Sequence, residues 1–171
     1  MRIALLLCHS IALAGCASLS KQECLNGNWE EIGFRDGTDG RETSYLQRHT
    51  KACERAAVTP VQNLWEKGRQ RGLPVYCVPA KAFSVGKKGQ TLRPVCPAAQ
   101  MPALQAANAK GLAYHEFTEE IGELTIKIDE LESQVIAEQN AVKRALILQE
   151  SRALRREISF LELQRADVSS L

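Results

Sequence analysis

Six cysteines punctuate the 171 residues, and their positions constrain the fold more than any other feature of the chain. Cys8 and Cys16 fall in the first sixteen residues. Cys24, Cys53, Cys77 and Cys96 follow at wide spacings, and nothing after Cys96 can be cross-linked. An even set of four in an exported chain is a disulfide framework, whereas the same set in a reducing compartment would be read as metal ligands or reactive thiols. The N-terminal residues therefore decide how the cysteines are read.

Met1-Arg2-Ile3-Ala4-Leu5-Leu6-Leu7 puts one positive charge before a short apolar run, and small residues lead up to Gly15. This is the layout of a secretory signal over 1–15, too short to span a membrane permanently. Leu13-Ala14-Gly15-Cys16 resembles the lipobox of bacterial lipoproteins, in which the cysteine sulfur receives a diacylglyceryl group and then becomes the first mature residue. Residue 17 is Ala rather than Asp, and the resemblance to Gram-negative sorting signals then implies a lipid-anchored location on the outer membrane, facing the periplasm. Residues 16–23 are expected to form a lipid-anchored linker.

With Cys16 lipidated, the four remaining cysteines form two disulfides. If the first two helices after Cys24 fold back antiparallel, the start of one meets the end of the next and Cys24 meets Cys53. Cys77 and Cys96 then close the base of a loop rich in glycine and proline. The rival arrangement joins Cys53 to Cys77 and Cys24 to Cys96. His49 and Cys53 also sit four apart, a spacing that can hold zinc, but an oxidising compartment favours disulfides and no Cys-x-x-Cys is present, so no metal is expected.

The fold class expected is mainly α: a small disulfide-stapled helical head over 24–111 and a helical tail over 112–171. In the head, one helix is expected over roughly 28–41. Gly33, Gly37 and Gly40 share one face of it and invite close approach by a neighbour. A second helix starts near Ser44, where Ser44-x-x-Gln47 has capping-box spacing, and ends near Ala57. A third starts at Thr59-Pro60 and ends by Gly72 or just before Pro74, with Gly68 and Gly72 again four apart. From Cys77 to Cys96 no helical period is visible; a Gly/Pro-rich loop or a short hairpin with its tip at Val85–Gly89 is expected.

Trp29, Gly33-x-x-Asp36-Gly37-x-x-Gly40, His49-x-x-x-Cys53, Gly68-Arg69-x-x-Gly72-Leu73, Tyr76-Cys77-x-Pro79, Gly86-x-x-Gly89 and Val95-Cys96-Pro97 occur in that order. The string resembles the bacterial lipoprotein family catalogued as domain of unknown function 2799, over roughly 24–111. One departure is Lys81-Ala82-Phe83, where Asn-Gly-aromatic would be expected. The resemblance implies an exported, often lipid-anchored protein and no established reaction.

Beyond Tyr114 there is no proline, and Gly122 is the one glycine. Ile121, Leu124, Ile128, Leu131 and Val135 alternate at three and four, a coiled-coil stripe whose phase Val142 continues. Leu146/Ile147, Leu154, Ile158, Leu161 and Val168 form a second stripe in a shifted phase, with Glu138-Gln139-Asn140 between the two. A stutter in one long helix and a turn in a helical hairpin both produce such a shift. Without strong turn residues, the near-continuous helix is the expectation. Its stripe must be covered by itself, a second copy or the head.

Charge divides the same way. Residues 16–111 carry 14 Lys/Arg and 8 Asp/Glu, and residues 112–171 carry 7 and 12. From Lys67 to His115 there are eight basic residues and no acidic one. Such asymmetry points to an anionic partner or to docking of the acidic tail on the basic head. Lys81, Lys87, Lys88 and Arg93 read first as a solvated loop, and second as a contact for an anionic lipid head group or the cell-wall polymer. Asp36, His49 and Arg69 are the polar residues inside the family-like motifs. They read first as internal hydrogen-bonding groups, and alternatively as the working cluster of a cell-wall-binding module or envelope hydrolase. No Gly-x-Ser-x-Gly, His-Glu-x-x-His or phosphate loop occurs. The expectation is a non-enzymatic lipoprotein without a cofactor and without nucleic acid as a partner. Its tail would meet an envelope protein or a second copy.

Overall fold

In the computed structural model, residues 17–169 are described, and every regular element among them is helical. The signal residues 1–15 and the lipobox Cys16 lie outside them. Seven α-helices are described: α1 (Lys21–Asn26), α2 (Trp29–Thr38), α3 (Leu46–Cys53), α4 (Gln62–Tyr76), α5 (Pro79–Gly86), α6 (Met101–Ala137) and α7 (Ala141–Ser169).

Both disulfides have the pairing expected from the helical fold-back: Cys24–Cys53 and Cys77–Cys96. They close loops of 29 and 19 residues. In the chain-entropy account each removes about 3–4 kcal/mol of denatured-state freedom, a large share for a small head.

The head is built from two pairs of helices that approach to backbone contact. In the first pair, α2 carries Gly33 and Gly37 and α4 carries Gly68 and Gly72. A Cβ on Gly33 would lie 1.9 Å from the Trp65 carbonyl oxygen, and one on Gly68 would lie 1.9 Å from that of Glu30. Gly37 and Gly72 are as tightly held, against the carbonyls of Arg69 and Phe34. The partners rise together in number, so the two helices run in the same direction, and the chain between them returns through α3. In the second pair, α5 and α6 meet at Gly86 and Gly111, whose missing Cβ atoms would lie 2.3 Å from the Asn108 carbonyl and 2.2 Å from that of Phe83. In the first pair a disulfide ties α1, the short helix ahead of α2, to the end of α3, and in the second it ties Cys77, just before α5, to Cys96 on the segment leading to α6. The head is thus two copies of one architectural idea, with a Trp65-centred core in the first and a Tyr76/Leu104 core in the second.

Several local expectations are corrected. The linker expected over 16–23 is folded from its fourth residue on: Leu19 is buried in the first core, and Ser20 caps α1 in a capping box with Glu23. The first long helix is shorter than 28–41. It ends at Thr38, and Gly40 turns the chain with φ 65° rather than continuing the glycine face. The Ser44-x-x-Gln47 box is not used; a short 3-10 turn over Thr43–Tyr45 leads into α3 without a side-chain cap. α4 starts at Gln62, because Pro60 is buried outside the helix instead of forming its first turn. It also runs through Pro74. A proline removes one N–H from the ladder, but burial of Leu73 and Tyr76 and the Cys77 disulfide hold the last turn, which closes with Cys77 N–H donating to the Leu73 carbonyl at 2.8 Å. The Gly/Pro-rich loop covers only 87–97. Its expected first half, where a hairpin tip was placed, is α5, with Pro79 in the first turn and Ala82, Phe83 and Gly86 buried.

The tail is a helical hairpin rather than the near-continuous helix. Glu138 adopts an extended conformation, and the Asn140 side chain accepts from the backbone N–H groups of Val142 and Lys143, capping α7. Both stripes then face each other, with Ile128, Leu131 and Leu161 buried. Val142 does not continue the first stripe and is 71% exposed. Lys127–Glu150 and Arg155–Glu132 pair across the two helices. α6 crosses residues 111 and 112 without a break, so head and tail share one helix. No helix among the described residues is long and apolar enough to cross a membrane.

Candidate functional site: a buried polar network and a basic cleft

Asp36 stands on the buried face of α2, His49 on that of α3 and Trp65 on that of α4. Close packing of α2 and α4 brings the three side chains together. Asp36 Oδ2 accepts from the Trp65 indole N–H at 2.7 Å and is 2.6 Å from His49 Nε2. A carboxylate only accepts, which gives His49 an Nε2–H, and on the other side of the ring Nδ1 is hydrogen-bonded with the Ser18 hydroxyl at 2.9 Å. His49 is 1% exposed.

Arg69, the third residue singled out from the sequence, is buried nearby but does not join this network. Its guanidinium lies near the Trp65 ring, donates twice to Glu66 at 2.7 Å and donates to the Arg41 carbonyl at 3.0 Å. Hydrogen bonds from Arg69 hold the Glu66 carboxyl below its usual range against the opposing effect of burial. Arg69 thereby fixes the turn after α2.

The contacts Ser18–His49–Asp36 have the composition of a nucleophile, a base and an orienting carboxylate. Their surroundings serve packing. Asp36 is shared with an indole, and none of the three lines either cavity described below. Cys53, the partner in the zinc-like spacing with His49, is held in a disulfide.

The second cluster is open. A cavity of about 640 Å³ lies between the turn after α2, the end of α4, α5 and the loop after it. Arg41, Lys81, Lys88 and Arg93 line it, with Asp39 as its one acidic residue. A smaller cavity of about 290 Å³ continues past Arg41 and Arg93 to Tyr45 and Arg48, with Glu42 as its one carboxylate. None of Arg41, Arg48, Lys81, Lys88 and Arg93 has an ion-pair partner among the described residues. Arg41 stacks on the Tyr45 ring at 4.3 Å, and its Nε is buried without a hydrogen-bond partner.

The loop that carries Arg93 is held rigidly. Asn108, buried on α6, donates to the carbonyls of Ala82 and Gln90 and accepts from Leu92 N–H. The Tyr76 hydroxyl accepts from Arg93 N–H, and the Arg93 side chain donates to the Asp39 carbonyl. Of the four basic residues read as one stretch, Lys81, Lys88 and Arg93 converge. Lys87 turns away onto the Tyr114 ring at 4.1 Å. Arg41 and Arg48 come from a different segment, and no local pattern joined them to the stretch. Asn108, the one asparagine of α6 and set in its alanine-rich start, was the available signal for the loop anchor.

The model of a family described as "Protein of unknown function (DUF2799)" matches residues 28–113, about half of the chain, and the chain belongs to that family. No curated protein and no solved structure matches it. The family match spans both glycine-notched helix pairs and ends within α6, so it covers the head and not the hairpin.

Proposed function

We propose that this member of the family is an outer-membrane lipoprotein, held by a lipid on Cys16 and facing the periplasm, that acts as a structural or protein-interaction module rather than as an enzyme. The observation that carries the reading is the docking of the segment just after Cys16. Leu19 is 5% exposed within the first core, and Ser18 is bonded to buried His49. Lipid on Cys16 would therefore be joined to a rigid head through one intervening residue, which makes an anchor a positioning device as well as a tether. Two disulfides suit an oxidising compartment. The hairpin, standing on a helix that begins in the head, would present its outer face to an envelope protein or a second copy.

Replacing Cys16 tests the anchor. Cys16→Ser should move the protein from the membrane fraction to the soluble one, and mass spectrometry of the wild-type N-terminal peptide should show cleavage before Cys16 and added acyl mass. Wild-type protein that begins at Met1, or whose Cys16 is unmodified, sinks the reading whatever the fractionation shows.

A further inference from the structure

We propose that the cleft lined by Arg41, Lys81, Lys88 and Arg93 is a docking surface for the phosphate head groups of anionic lipids in the membrane that carries the anchor. The inference rests on the lipid-anchored reading above and adds what the head does there. Four cations border one cavity of about 640 Å³ with a single carboxylate among its lining residues. Like charges held close without counter-ions cost energy unless an anion joins them. The loop geometry keeps them together: Asn108 and the Tyr76 hydroxyl fix the backbone from Gln90 to Arg93. Arg41 Nε is buried and unpartnered, so the Arg41 head is not fully satisfied within the protein.

The position of the cleft selects a lipid surface over a soluble anion. From Ser18 the contacts run to His49, from the His49 ring to Tyr45 at 5.1 Å, and from Tyr45 to Arg41 at 4.3 Å and Arg48 at 5.5 Å. The cation-lined edge therefore begins three side-chain contacts from the point where the chain leaves for Cys16. A membrane reached through one intervening residue would lie on the side of the head where Arg41 and Arg48 border the cleft, and an anionic leaflet acts on Lys and Arg that come within about a Debye length of it.

The test uses the full lipid-bearing chain reconstituted into vesicles. Acylation of Lys81 and Lys88 by an amine-reactive reagent is read by mass spectrometry against Lys143, at the far end of the hairpin. On vesicles of phosphatidylcholine with about a third phosphatidylglycerol, both lysines should be protected about threefold or more relative to pure phosphatidylcholine. High salt should remove the protection, as should Arg41→Gln with Arg93→Gln. If that double variant misfolds, by disulfide mapping, the wild-type salt response still decides. Equal labelling on the two vesicle types, with the protein floating on both, overturns this inference alone. A chain that does not float with neutral vesicles overturns the anchored reading and this inference with it. Inorganic phosphate that protects the lysines equally well on neutral vesicles assigns the cleft to a soluble anion and overturns the membrane assignment.

Discussion

The α2–α4 pair in the head and the α6–α7 pair in the tail hold two helices together by opposite means. In the head the contact is made where side chains are missing: four glycines let backbone meet backbone, and a methyl group at Gly33 or Gly68 would sit 1.9 Å from a carbonyl oxygen, far inside van der Waals contact. In the tail it is made by side chains, with Ile128, Leu131 and Leu161 between the helices and exposed ion pairs along the edge. The first kind of contact depends on shape and tolerates nothing added. The second depends on apolar volume and tolerates nothing removed. Disulfides accompany the first kind only, as expected where small residues bury little apolar surface.

The largest expected effect is at the head contact. Gly68→Ala should force α2 and α4 apart and cost about 3 kcal/mol or more, the upper range for overpacking, because the atom met is backbone and cannot rotate away. The same change at Gly122 in the tail meets nothing within 4 Å and should stabilise its helix by up to about 1 kcal/mol. Urea denaturation of the two variants checks the pair. Equal shifts in one direction would erase the distinction between the two contacts.

A cavity in the tail should cost less and act locally. Leu161→Ala removes a side chain that is 6% exposed between α6 and α7 and should cost about 2–3 kcal/mol. The loss should appear as faster amide exchange over α7 and the outer half of α6, with the head's protection unchanged, since the two regions share only α6. If exchange rises equally in the head, the hairpin is not a separate unit and the contrast fails.

What could be read from the residues followed from which of these contacts was involved. The coiled-coil stripes were legible because apolar spacing is itself the signal, and the disulfide pairing followed from an antiparallel return of α3. The hairpin turn was not: Glu138-Gln139-Asn140 lacks glycine and proline, and the chain leaves α6 at an extended Glu138 and enters α7 with only the Asn140 side chain as a cap. Glycine was the ambiguous letter. At Gly33, Gly37, Gly68 and Gly72 the spacing of four exposed the packing face, but Gly86 looked like a turn and Gly111 stood unpaired. Their partnership across 25 residues is visible only when α5 and α6 meet. In the polar network Asp36 and His49 were named together, while Ser18 and Trp65, which complete it, belong to segments with no common pattern. The basic cleft was half legible. Lys81, Lys88 and Arg93 are close in sequence, whereas Arg41 and Arg48 arrive through the fold.

The smallest expected effect sits where the anchor would enter the head. Glu23 closes the capping box of α1, and its pKa is lowered from 4.5 to about 2, first by the Ser20 backbone N–H and then by Arg35 and the Ser20 hydroxyl, against a small opposing effect of burial. A carboxyl whose folded pKa is depressed adds stability that is complete above its unfolded value, near 4.5, and is lost as pH falls toward 2. Its side chain is 38% exposed, so solvent screening reduces the gain to under about 1 kcal/mol. Glutamine can still fill the third position of a capping box, and Glu23→Gln therefore removes the charge while keeping the cap. The variant should be slightly less stable than wild type at pH 7, and the gap should close between pH 4.5 and 2 as the wild-type carboxyl is protonated. Urea midpoints of both proteins across that window measure it. Glu30 and Glu66 also have lowered values and titrate in both proteins, so only the difference between the curves belongs to Glu23. A gap that persists unchanged at pH 2 would mean that the Ser20–Glu23–Arg35 contacts hold the start of α1 by shape, as the glycines hold α2 and α4, and not by charge.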